Sequence, residues 1–168
     1  MTEFICEPLS KRHDRKQFNC AAPELNAWFQ QRARQDQDRH VAAVFVLSPV
    51  EQPTRVAGFY TLSANSILLD DLPGEVSRKL PRYPIVPAIL IGRLARDVQF
   101  PGIGPALLMD AVRRAASHSN EIAAAAIVVD AKDDRAARFY SRFGFAPLTN
   151  STKRLYLLIE TAWKLITQ

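Results

Sequence analysis

The chain has 168 residues, 48% of them apolar, and 22 Lys and Arg against 17 Asp and Glu, for a formal net charge of +5. That size and composition suit one domain with one packed core and exclude a globally disordered chain. No run of about 18 apolar residues occurs, so no membrane span is expected.

MTEFICEPLSKRHDRK carries no apolar secretory stretch, which predicts a cytoplasmic protein. Cys6 and Cys20 form no CxxC pair and no disulfide framework, and both are expected as buried free thiols. Residues 3–9 (EFICEPL) read as a first strand. Leu25, Trp28 and Phe29 stand at helical spacing behind Pro23, which predicts one helix over 23–38. Two strands follow, 41–48 (VAAVFVLS) and 55–63 (RVAGFYTLS), around a polar turn. Four prolines in 70–87 leave room for one short helix at most. A long strand is predicted over 88–98, ending in GRLARD, then a helix from about residue 104 with Leu108, Ala111, Val112 and Ala115 on one face. The apolar run AAAAIVVD (123–130) reads as a strand covered on both faces. Asp133 can cap a short helix, DRAARFYSRF. Gly144 turns the chain into FAPL, and KRLYLLI (153–159) is a last strand. A mixed, twisted α/β sheet is the expected class.

Several segments could carry chemistry. In FYSRFGF (139–145), Ala136, Tyr140 and Phe143 share a helix face. Tyr140 is either a core aromatic or a phenol able to give a proton to a leaving group. With an ordinary pKa of about 10 it is protonated at neutral pH. The backbone of GRLARD is either a plain strand end or an edge that can bind an extended ligand as an added strand. QFPGIGPALLMDA has two glycines before a helix, whose N-terminus suits a pyrophosphate. Its null alternative is a Gly/Pro turn, and Pro101 and Pro105 have no N–H to offer an anion. Basic clusters (11–16, Arg32/Arg34/Arg39, Arg78/Lys79/Arg82, Arg93/Arg96, Arg113/Arg114, Lys153/Arg154) are solvated faces or the footprint of a polyanionic partner. His13, His40 and His118 read as surface residues, and no metal site is predicted.

Taken together, GRLARD, the glycine turn, VVDA and FYSRFGF resemble a GNAT acetyltransferase. FNCAAPELNAWF (18–29), GFYTLSA (58–64), LPRYPIVPAILIGRLARD (80–97), VVDAKDDRAARFYSRFGFAPL (128–148) and KRLYL (153–157) extend the resemblance along nearly the whole chain. They are similar to the acetyltransferase toxins of bacterial toxin–antitoxin pairs. The resemblance implies a GNAT fold, with a central twisted mixed sheet, splayed strands and flanking helices, and residues 1–168 as a single domain. It implies acetyl-CoA as donor and the α-amine of aminoacyl-tRNA as acceptor, which would block translation. It makes Tyr140 the acid that protonates the departing thiolate. Leu94, Ala95 and Arg96 would lie along the pantetheine, and Gly102, Ile103 and Gly104 would fall in the pyrophosphate loop. Asp133 and Phe139 would sit by the CoA arm, and Arg78, Lys79, Arg82 and Arg93 would contact tRNA. A ribbon-helix-helix antitoxin is implied as partner, and homodimers are common in the family.

Three features depart from the family pattern. FPGIGP is shorter than the usual loop, Pro101 and Pro105 replace side chains that could face phosphate, and Arg96 replaces a small apolar residue. Two other readings therefore stay open: a GNAT that acetylates a protein or small amine, and a degenerate GNAT with impaired acetyl-CoA binding that serves as a binding or regulatory protein.

Overall fold

The structure is a computed structural model, and it describes residues 2–167. In chain order it forms β1 (Phe4–Pro8), α1 (Pro23–Gln31), α2 (Ala33–Asp38), β2 (Ala43–Pro49), β3 (Gly58–Leu68), a 3-10 turn (Leu69–Asp71) and α3 (Gly74–Ser77). Then come β4 (Ile85–Arg96), α4 (Gly104–His118), β5 (Ala126–Asp130), α5 (Asp134–Ser141), β6 (Ala146–Pro147), β7 (Arg154–Leu158) and α6 (Ile159–Ile166). The strand order is β1-β2-β3-β4-β5-β7-β6. Strands β4 and β5 are parallel, whereas β1–β2, β2–β3, β5–β7 and β6–β7 pair antiparallel. This is the mixed sheet that the alternation of strand and helix patterns predicts.

The chain forms two compact units. The first takes the chain up to Ser63 together with Gly92–Ala111, and the second takes Ala64–Ile91 and the chain from Val112 onward. Strands β3 and β4 and helix α4 each run from one unit into the other.

In the first unit, Phe59 centres an aromatic cluster. Its ring stacks on Phe29 at 4.3 Å and on Trp28 at 5.8 Å, and meets Phe18 edge-on at 5.3 Å. Val44, Val46, Val56 and Ala95 complete this core. Burying such rings removes 150–250 Å² each from water, which makes them the main apolar contribution of the unit. The helix predicted over 23–38 is broken at Arg32 (φ −124°, ψ −17°) into α1 and α2. No proline or glycine marks the break. Its cause is tertiary: Arg15 donates from Nη1 to the carbonyls of Phe29 (3.1 Å) and Gln30 (3.2 Å), at the last turn of α1. Trp28 Nε1 then donates to Asp36 Oδ2 at 2.9 Å and ties the two helices together.

In the second unit, β5 is buried from Ala126 to Val129, as its unbroken apolar run requires. Its core joins Ile67, Leu69, Val86, Val128, Leu148 and Tyr156. Helix α6 is absent from the sequence reading above, which ends the chain's pattern at strand 153–159. The strand passes into the helix at Leu158 with no capping side chain and no Gly or Pro to announce it.

Two further expectations are corrected. His13 is buried, not on the surface: its Nδ1 accepts the Ser10 N–H at 2.9 Å and its Nε2 lies 3.0 Å from Glu7 Oε1. Cys6 and Cys20 are free but only half-buried.

Candidate active site

The first unit supplies the end of β4, a turn and the start of α4. The β4–β5 ladder ends at Ile91↔Val129, while β4 runs on to Arg96. Over that tail, Arg93 N–H donates to Thr61 Oγ1 at 3.0 Å and Asp97 N–H to the Ala57 carbonyl at 2.7 Å. Successive residues of a strand turn their main-chain groups to opposite edges. Arg93, Ala95 and Asp97 therefore face β3, and the main-chain groups of Leu94 and Arg96 face away from it. Of the three β4 residues singled out in the sequence, two present backbone to the far edge, and Ala95 packs into the aromatic core instead.

The close approach that sets this geometry occurs at Gly58. A methyl group there would lie 3.1 Å from the Ala95 carbonyl oxygen and 3.1 Å from Leu107 Cδ2. This gives the glycine of GFYTLSA a physical reason: strand β3 must pass directly beneath β4 and α4. Two residues on, Tyr60 donates to Asp110 Oδ2 at 2.6 Å, joining β3 to α4 through a fully buried ring.

After β4 the chain turns at Asp97, whose carboxylate is almost fully buried. Oδ1 accepts the Gln99 N–H at 2.8 Å and Oδ2 the Asn19 N–H at 2.9 Å. Gly102 takes φ +85°, the left-handed region where glycine is favoured. The Ile103 carbonyl then accepts the Leu107 N–H at 2.9 Å and starts α4. Pro105 lies in the first turn, where an N–H would have no intrahelical partner in any case. The turn and helix start thus hold the N–H groups of Gly102, Ile103, Gly104 and Ala106, at the positive end of a 15-residue helix. This arrangement suits a diphosphate.

The second unit supplies α5. Asp133 caps it as expected, its Oδ1 accepting the Ala136 N–H at 2.8 Å. Tyr140 is 8% exposed. Its ring meets Phe139 at 5.4 Å and Phe145 at 5.7 Å, both edge-on. Burial pushes its phenol up to about 12. Phe139 is half-buried, with its ring edge-on to Phe143 at 5.3 Å and the Arg142 guanidinium 5.7 Å above it.

The four basic residues are not equivalent. Arg78, Lys79 and Arg82 are exposed in the second unit, at and just after α3. Arg93 belongs to the first unit and is half-buried, its guanidinium 4.0 Å from the centroid of the Trp28 ring. Burial lowers its pKa, against the pull of nearby Asp36. Arg96 is exposed, and its Nη1 donates to the Asp97 carbonyl at 3.3 Å. Among the described residues, no group of three or more His, Cys, Asp or Glu could hold a metal ion, and no helix is long and apolar enough to cross a membrane.

No family model matches the chain. Whole-length relatives do. The Probable toxin TacT of Sinorhizobium fredii is 32% identical over 167 residues, covering 94% of this chain and 92% of its own. The tRNA-acetylating toxin of Mycobacterium tuberculosis is 34% identical over 160 residues, covering 94% of this chain and 93% of its own. The chain belongs to the tRNA-acetylating toxins. Its fold is that of AtaT, solved in complex with acetyl-methionyl-tRNAfMet: the TM-score is 0.90 at 23% identity, over 99% of this chain and 100% of AtaT. AtaT has also been solved with the C-terminus of the antitoxin AtaR and acetyl-CoA, and that form gives a TM-score of 0.82 at 22% identity, over 99% of each chain. Within this family's GNAT fold, the sequence signals GRLARD, PGIGP and FYSRFGF fall at a strand tail, a helix entry and a short capped helix.

Sequence reasoning missed Thr61, Asp97 and Tyr60 with Asp110. Thr61 and Tyr60 lay inside the quoted GFYTLSA and Asp97 closes GRLARD, but each matters through a partner far along the chain, which local pattern does not reveal.

Proposed function

We propose that this toxin transfers the acetyl group of acetyl-CoA to the α-amine of an aminoacyl-tRNA and so removes that residue from translation. The observation that carries the reading is the 34% identity to a tRNA-acetylating toxin across 94% of the chain. Residues 1–168 act as one GNAT domain in the cytoplasm. The Leu94 and Arg96 main-chain groups take the pantetheine as an added strand, and the N–H groups of Gly102, Ile103 and Gly104 take the diphosphate. Asp133 and Phe139 flank the CoA arm. Exposed Arg78, Lys79 and Arg82 meet tRNA phosphates, with Arg93 beside them in role and Trp28 holding its guanidinium.

The chemistry needs no strong base. An α-amine has a pKa of about 7.7–8.0, so a neutral fraction is present at pH 7. Attack forms the C–N bond, the C–S bond breaks, and one proton must travel from nitrogen to sulfur. Tyr140, with its phenol at about 12, is protonated at any physiological pH. A thiolate with conjugate-acid pKa of about 8.5 does not strip such a phenol outright. The phenol instead hydrogen-bonds the departing sulfur, and gives up its proton as the amine nitrogen resupplies one. Holding amine and thioester together supplies much of the remaining rate.

A ribbon-helix-helix antitoxin partner and a homodimeric toxin complete the reading, in keeping with the family. The test is direct. Labelled acetyl-CoA is mixed with the toxin and a pool of charged tRNAs, with donor binding followed by calorimetry. Label is expected on the aminoacyl group, and it is expected to vanish in Tyr140→Phe. Label confined to protein or small amines, or no donor binding at millimolar concentration, overturns the proposal.

A further inference from the structure

The acetyl-CoA loop of this chain is short and carries two prolines, so it offers few N–H groups. Affinity from so few donors depends on their being aimed before the ligand arrives, because each disordered residue must otherwise be fixed on binding. The segment is in fact held on several sides, and one side chain contributes most of the ties.

That side chain is Arg55, in the connection between β2 and β3, with its side chain 18% exposed. Its Nη2 donates to Gln99 Oε1 at 2.7 Å and lies 3.5 Å from Asp97 Oδ2. Its guanidinium carbon lies 5.4 Å from the centroid of the Phe100 ring. Nη1 donates to Gln17 Oε1 at 2.7 Å and anchors the group from behind. Arg55 Nε is buried without a hydrogen-bond partner. A buried donor left unmade is costly, so the fork is oriented for the loop at the expense of its own third nitrogen. Asp97 adds its hydrogen bond from the Gln99 N–H, and Phe100 N–H returns to the Asp97 carbonyl at 3.0 Å. Residues 97–100 are thereby fixed immediately before Pro101 and Gly102.

We infer that Arg55 is a positioning residue for acetyl-CoA: it never touches the donor, but it sets the loop whose N–H groups receive the diphosphate. The inference rests on the acetyl-CoA reading above. It assigns a function to a residue outside every motif that the family resemblance picks out.

The experiment compares two donors, acetyl-CoA and S-acetyl-pantetheine, which lacks the diphosphate, in wild type, Arg55→Ala, Arg55→Lys and Gln99→Ala. Acetyl transfer to charged tRNA gives KM and kcat for each donor. In Arg55→Ala the KM for acetyl-CoA is expected to rise about tenfold, the scale of one lost charge-assisted hydrogen bond, with kcat nearly unchanged. The KM for S-acetyl-pantetheine is expected to stay at the wild-type value. Arg55→Lys is expected to restore part of the difference, since an ammonium can keep one contact but not the fork. If Arg55→Ala does not fold, Gln99→Ala carries the test, because it removes only the loop-side acceptor. Equal loss with both donors, or a fall in kcat with KM unchanged, overturns the inference as a general structural effect. A wild type inactive with acetyl-CoA overturns the acetyl-CoA reading itself, and the inference with it.

Discussion

Replacing Gly58 by alanine tests whether the passage of β3 under β4 and α4 is as tight as it looks. The added methyl would stand 3.1 Å from a backbone oxygen, that of Ala95, and 3.1 Å from Leu107 Cδ2, with Ile103 Cδ1 at 3.4 Å. Leu107 is fully buried, so its methyl has no solvent to turn into, and the Ala95 carbonyl belongs to a strand held at Arg93 and Asp97. Overpacking of this kind costs about 1–3 kcal/mol. Alanine recovers roughly 0.5–1 kcal/mol by narrowing the unfolded chain. A net loss of about 1–2 kcal/mol is expected, which for a chain of this length lowers Tm by about 3–6 °C. Differential scanning calorimetry at matched pH measures it. Gly74→Ala is the internal control: a methyl there meets nothing within 4 Å, so its Tm should hold or rise slightly. A Gly58→Ala protein as stable as wild type would refute the reasoning, because it would show that β4 and α4 can yield without cost.

Other expectations follow from the same geometry. Asp133→Ala should destabilise by about 1 kcal/mol through loss of the α5 cap, and Asp133→Asn by much less, as read by thermal melts. Acetyl transfer should rise with pH as the α-amine loses its proton near about 7.7–8.0, then level without an alkaline fall up to pH of about 9, because Tyr140 ionises only at about 12. A decline tied to a group near about 10, absent in Tyr140→Phe, would contradict the buried phenol. On the stability side the sign is opposite: a phenol raised on folding loses its stabilising share as pH climbs from its ordinary value toward about 12, and Tyr140→Phe should flatten that alkaline slope. Alanine at Arg78, Lys79 or Arg82 should each reduce the salt dependence of tRNA binding by about one unit of slope, in filter-binding titrations. Arg93→Met should change that slope less, since its guanidinium is spent on Trp28.

How much of this was legible in the sequence depends on how far each cause lies along the chain. Asp133 announces α5 because the cap and the N–H it receives are three residues apart. The apolar run to Val129 announces a strand buried on both faces without help from its neighbours. The break at Arg32 was invisible because it is made by Arg15, 17 positions earlier in the chain, reaching the carbonyls of Phe29 and Gln30. Helix α6 was hidden for a different reason. LLIETAWKLI is apolar on either side of Leu158 and has no breaker, so the change of period had no punctuation. The site divides in the same way. Tyr140 and the glycines of PGIGP stand in local patterns, whereas Arg55 and Thr61 act only through partners more than 30 residues away.

The alternation along the tail of β4 has a consequence for how this edge exchanges its amide protons. Arg93 and Asp97 give theirs to Thr61 and Ala57, while the amides between them at Leu94 and Arg96 point the other way. Deuterium uptake in the free toxin should therefore run slow, fast, fast, slow at residues 93, 94, 96 and 97. A donor laid along the strand would slow the middle pair without touching the outer one. The end of β4 thus carries its own occupancy record, written one residue in two.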